Sequence, residues 1–225
     1  MLRALIDISS EKEGKVLMRM SSRTGLALIA AILMHSGAAQ AAGIGGYLEY
    51  SGYQNDLKFD YSNDLLIDGN RIGVGVTYST NPQGSALFNY RLDAGYVHTW
   101  EKVRKGYSYD SNGFSLNNAF GFRVFQNDST RVWIGPAVGL GFDILNKSTD
   151  REFDSGDVKT FTIGGGPQIG VNLAASQKLT VALSAGYQYR YRVEWYGDID
   201  VDDDNAHGSG SYWLANIALM FNTGG

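Results

Sequence analysis

From residue 44 onward the chain is governed by a period of two. Phe88, Tyr90, Leu92, Ala94, Tyr96, His98 and Trp100 fall on one side of an extended segment, and Asn89, Arg91, Asp93, Gly95, Val97 and Thr99 on the other. Such alternation specifies a strand with one apolar and one polar face. The pattern recurs over 70–79, 113–125, 130–145, 160–173, 178–195 and 211–221, and more weakly over 44–53, where Leu48 and Tyr50 oppose Glu49 and Ser51. That makes eight candidate strands and no convincing helical period.

The connections are as informative as the strands. QNDLKFDYSNDLLIDG, EKVRKGYSYDSN, NKSTDREFDSGD and YGDIDVDDDNAHGSG are long; NPQGSA, QNDS and AASQ, which fall between them, are short. Regular alternation of long and short loops over an even strand count predicts an up-and-down barrel in a membrane, with both chain ends on the short-turn side. A secreted sandwich or lipocalin-like barrel shares the alternation but packs its apolar face inward. Here the polar face is rich in Gly, including Gly73, Gly75, Gly139, Gly141, Gly164 and Gly166. These would leave voids in a sandwich core, yet they suit a narrow eight-stranded lumen. The 29 Gly among 225 residues thus read as lumen lining rather than linker. Pro136 and Pro167 fall on the apolar face of central strands, where a missing ladder donor calls for a bulge.

Residues 1–41 are set apart. Arg19 and Arg23 precede the ten apolar residues GLALIAAILM, and SGAAQAA follows with Ala39-Gln40-Ala41. This is the pattern of a signal peptide for Sec export, cleaved before Ala42. Ten residues are too few for a spanning helix. Asp7, Glu11 and Glu13 do not suit the charged start of such a peptide, which places the true start at Met18 or Met20. The first 41 residues hold 5 Lys/Arg and 3 Asp/Glu, so 42–225 carries 14 against 20, a net charge of −6. That balance excludes a nucleic-acid partner. With no Cys there is neither disulfide nor thiolate chemistry.

WIGPAVGLGFDI, with its alternating glycines, resembles the strands of the small eight-stranded outer-membrane β-barrels of Gram-negative bacteria, the outer-membrane protein X, outer-membrane protein A and opacity-protein type. The resemblance covers residues 43–225 and rests on generic motifs that identify an architecture. It implies an all-β, eight-stranded antiparallel up-and-down transmembrane β-barrel in the cell outer membrane. It further implies partners in outer-membrane lipid, lipopolysaccharide and the barrel-assembly machinery. Members of this group usually end on an aromatic residue; here Phe221 is followed by four more residues.

Three functional classes are open on this reading. A structural or adhesive role would use the four long loops against host or matrix surfaces; loop one carries Phe59, Tyr61, Leu65, Leu66 and Ile67, and loop two offers Lys102, Arg104 and Lys105 to lipid phosphates. A small porin would use the lumen charges Glu49, Arg71, Arg91, Asp93, Arg123, Asp143, Arg190, Arg192 and Glu194, which otherwise form a plug of ion pairs. A lipid A-modifying enzyme would use His207 and Ser209, whose spacing is similar to that of lipid A deacylases, although no acid follows in the loop. The reading is of a non-enzyme with no cofactor. Trp100, Trp195 and Trp213 on the long-loop side, with Tyr78, Phe88 and Phe221 on the other, make candidate interfacial girdles. Asp198, Asp200, Asp202 and Asp204 have oxygen-rich spacing for calcium, but the Gly and distal Glu of a calcium loop are missing.

Overall fold

The structure, a computed structural model, describes residues 42–58, 65–103, 106, 108–148, 158–196 and 206–223. Residues 1–41, which the sequence reads as a signal peptide, and Phe59, Tyr61, Arg104, Lys105 and the aspartates 198–204 lie outside the described residues.

Eight strands form a closed ring in sequence order: β1 (Gly43–Lys58), β2 (Leu65–Ser79), β3 (Phe88–Val103), β4 (Ser108–Gln126), β5 (Thr130–Ser148), β6 (Val158–Ser176), β7 (Leu179–Tyr196) and β8 (Ala206–Asn222). Each pairs antiparallel with its neighbours, and β1 pairs with β8 to close the sheet. The ends meet at what is here called the lower side, where Thr223 N–H donates to Ala42 O at 2.7 Å.

Following partners around the ring from Tyr47 leads through Gly75, Gly95, Ser115, Gly141, Thr162, Arg192 and Gly208 back to Leu57, ten residues farther along β1. A shear of ten over eight strands corresponds to a tilt of about 41° and a backbone radius of roughly 8 Å at the usual rise and strand spacing. Such a tube has room for its own side chains and little else.

The apolar face points outward. Leu48, Val74, Val138, Ile163, Ile169, Leu183, Ile217 and Leu219 are all exposed, whereas Arg71, Arg91, Asp93, Gln168, Gln188 and Asn216 are buried within. Apolar surface turned outward all round a sheet closed by continuous strand pairing is how strands cross a bilayer. The fold is a transmembrane β-barrel.

Two expectations are corrected. The loops do not alternate cleanly in length: 59–64, 80–87 and 104–107 have six, eight and four residues. On the upper side the strands run on past the apolar band, and Leu57 pairs with Leu65 and Lys102 with Ser108. This shortens the loops there. Leu65 and Ile67 extend β2 and pack with Leu57, Val103 and Tyr109. The prolines also need no bulge. Pro136 and Pro167 stand directly opposite each other across β5 and β6. Each turns its donorless nitrogen away from the other. The register stays continuous on both flanks, but the pairings of Gly135 and Pro136 with β4, and of Gly166 and Pro167 with β7, drop out.

Candidate functional site

Among the described residues, buried charged and amide side chains converge in the polar lumen, which is built in layers. In the upper layer Arg192 grips Glu101 with both terminal nitrogens, one at 3.0 Å, and its Nε donates to Glu194 at 2.7 Å. Tyr53 Oη also donates to Glu101. Beside them Arg71 Nη2 donates to both oxygens of Asp143, at 3.1 and 3.2 Å. Arg190 lies 4.8 Å over the Tyr212 ring, which stacks on Tyr53 at 4.5 Å. Asn55 donates to the Tyr212 hydroxyl at 2.9 Å.

Below this layer a run of amides crosses the lumen. Arg190 Nε donates to Gln188, Gln188 to Asn117, Asn117 to Gln168 and Gln168 to Ser184, at 2.8–3.1 Å. The glycines make this possible: a Cβ on Gly139 would meet Gln188 Oε1 and Arg190 Nη2 at 2.6 and 2.5 Å. A second ionic layer follows. Arg91 donates from Nε to Asp93 at 3.0 Å and from Nη2 to Asn216 at 2.5 Å, while Thr77 donates to Asp93 at 2.5 Å. Lowest lies Trp133, fully buried, which covers Gly121 on β4 and Gly170 on β6.

Small voids remain among the described residues. One, of about 30 Å³, lies under the apolar rim formed by Leu57, Ile67, Val103, Leu145 and Val158, and another, of about 10 Å³, lies between Arg71, Asp143 and Thr162. Each approaches the size of a water molecule rather than of an aqueous channel. Burying these charges is tolerable where they are paired: Arg71–Asp143 and Arg192–Glu101 reach across the lumen, while Arg190 and Glu194 are bonded along β7.

The residues singled out from sequence are distributed as follows. Arg71, Arg91, Asp93, Asp143, Arg190, Arg192 and Glu194 are interior and buried, and so is Glu49. Arg123 is the exception: it sits at the lower rim beside a register break in β4, bonded to Ser85 O and Gln126. It keeps the inward register, directly opposite Trp133, but lies at the half-buried end of that row, below the packed lumen. Trp100, Trp195, Trp213, Phe88 and Phe221 are outward and exposed, with Tyr78 outward and half-buried. Lys102 is exposed on the outer face of β3. His98 is also outward, 2.7 Å from Asn112 Oδ1 and edge-on to Trp100.

His207 and Ser209 lie in β8, not in a loop, on the outer face of the upper rim. Asp56 of β1 pairs directly with Ser209, and Lys58 with His207. Ser209 Oγ lies 2.5 Å from Tyr189 Oη. Among the described residues no group of three His, Cys, Asp or Glu side chains is arranged to hold a metal.

Sequence reasoning missed Glu101, Arg131, Tyr53 and Tyr212. Glu101 and Tyr53 keep the odd-numbered parity of Arg91 and Glu49, a signal that was available once their strands were extended.

No family model matches the chain, and no curated protein does. Solved structures that resemble it include the outer membrane protein OprG from Pseudomonas aeruginosa, at 12% identity over 80% of this chain and 97% of that one, TM-score 0.46. Neisserial surface protein A is 17% identical over 77% and 97%, TM-score 0.34. Ail of Yersinia pestis, solved with the heparin analogue sucrose octasulfate, is 13% identical over 80% and 99%, TM-score 0.37. The likeness is one of fold.

Proposed function

We propose that the chain is an integral protein of a bacterial outer membrane with a structural or surface-interaction role, a scaffold that presents loops rather than a pore. Residues 1–41 direct its export through the Sec pathway, and the assembly machinery inserts it among outer-membrane lipid and lipopolysaccharide. The upper loops meet host or matrix surfaces. The observation that carries this reading is the filled lumen: two ion-pair layers and an amide run occupy the tube from wall to wall. The test is reconstitution of the full folded barrel in planar bilayers. The expected outcome is a flat baseline; discrete steps whose size changes in Glu101→Gln would instead mark a porin. Adhesion of expressing cells, lost when the upper loops are exchanged, would identify the surface role.

One observation favours a second reading. Asp56, Ser209 and His207 share the outer face at the upper rim. That set has the residue types of a nucleophile, base and orienting acid for ester hydrolysis at a lipid interface. A change in lipid A mass on expression, abolished by His207→Ala, would establish it; unchanged lipid A would remove it.

A further inference from the structure

The β2–β3 turn, residues 80–87, does more than reverse the chain. It folds beneath the lower mouth and is tied there from several strands. Arg131 of β5 donates from Nη1 to Asn81 O and Gly84 O at 2.6 and 2.9 Å, and from Nη2 to Ala86 O at 2.8 Å. Asn172 of β6 donates to Pro82 O at 2.8 Å. Gln83 Nε2 extends to the β6–β7 end, where it donates to Ser176 O, Leu179 O and Thr180 Oγ1 at 2.8–3.1 Å. In a sequential ring of eight, the β2–β3 and β6–β7 joints stand opposite each other. Gln83 therefore joins facing walls.

The turn also floors the lumen. A Cβ on Gly43 would touch Pro82 Cγ at 2.9 Å and Met220 Cβ at 3.3 Å, so the proline ring lies close to Met220. Met220 packs with Tyr47, Ala182 and Ala218.

The docked turn carries uncompensated costs. Asn81 has φ of 125°, a region side-chain-bearing residues rarely adopt. It is buried, and neither its amide nitrogen nor its amide oxygen has a partner; nor does Arg131 Nε. Undocking would return all three atoms to water and relax the backbone, which offsets the hydrogen bonds lost. Docked and undocked turns are thereby brought closer in free energy than the bond count suggests.

We propose that the β2–β3 turn is a releasable strap across the lower mouth, and that reagents reach the lower lumen only when it undocks. The proposal rests on the closed-lumen reading above. Its test uses the absence of Cys in the chain. Ala182→Cys places a single thiol at a buried inward position, and Val97→Cys places one higher in the lumen as a control. Each is made in the full chain, folded in detergent micelles, and exposed to a small charged methanethiosulfonate.

Adding Gln83→Ala, a change in the turn alone, should speed labelling at residue 182 by about tenfold, the equivalent of roughly one net hydrogen bond. Labelling at residue 97 should stay unchanged. Adding Asn81→Gly, which removes both the strained φ and the orphaned amide, should slow labelling at 182. Equal rates at 182 with and without Gln83→Ala overturn the strap, as does an equal rise at both thiols. Bilayer conductance by the unmodified barrel would overturn the closed-lumen reading instead, and is read separately.

Discussion

Glu101 of β3 and Arg192 of β7 clasp each other across the full width of the lumen, the carboxylate meeting both terminal nitrogens of the guanidinium. The two strands stand on opposite walls of the ring, so the pair acts as a crossbeam. Glu194 and Tyr53 complete its hydrogen bonding. Removing one partner leaves a buried charge without compensation. Arg192→Ala should cost about 3–5 kcal/mol, and the double change with Glu101→Gln should recover part of that loss. Urea unfolding in micelles, run as a double-mutant cycle, measures both.

Trp133 differs from the other three tryptophans in facing inward. Its ring fills the space over Gly121 and Gly170, and a Cβ on Gly170 would meet its Nε1 at 2.6 Å. Trp133→Ala should destabilise the barrel by about 3–5 kcal/mol. Gly170→Val should displace the indole and lower the yield of folded protein. Brominated acyl chains should quench Trp100, Trp195 and Trp213 but spare Trp133; single-tryptophan variants in vesicles check this.

Val74, near the middle of β2, is 53% exposed on the outer face, and Phe221 lies near the lower end of β8. Val74→Arg should cost about 2–4 kcal/mol in a bilayer, whereas Phe221→Arg should cost about 0–1. Reversible unfolding from phospholipid vesicles reads the difference. Equal costs at both depths would count against a transmembrane placement.

The facing prolines predict a local weakness. Since neither can donate, β4 and β7 each lose ladder pairing beside them. Amides of Phe120 and Tyr187, whose carbonyls face the prolines and lose a donor, should exchange with deuterium faster than those of Leu116 or Leu183 on the same strands. Exchange in micelles, resolved by peptide, tests this.

Alternation was enough to read eight strands and the inward and outward faces, because a period of two is local and survives any barrel radius. Strand ends were not legible. Glu101, Asn55 and Leu57 looked like loop because their stretches are polar or charged, yet they continue the inward row above the bilayer. Arg123 matched the inward parity and keeps it opposite Trp133, yet it ends at the lower rim, bonded to Ser85 O and Gln126, because parity does not say how far along the tube a residue lies. Which charges would pair was also beyond the sequence. Glu101 and Arg192 are 91 residues apart, and only the shear brings them to one level. Arg131 gave no sign of its role, since its acceptors are backbone carbonyls, to which every sequence contributes equally.

The β1–β8 seam joins Gly43 to Asn222 and Lys58 to His207, the most distant partners in the barrel. Residues so far apart in sequence meet late, since the entropy of closing so long a loop must be overcome before any of their hydrogen bonds form. Until then the chain is a curved sheet with two bare edges, open to pairing with other strands. The seam therefore sets the folding rate of this chain: in refolding from urea, substitutions along β1 and β8 should slow the rate more than equally destabilising ones in β4 or β5.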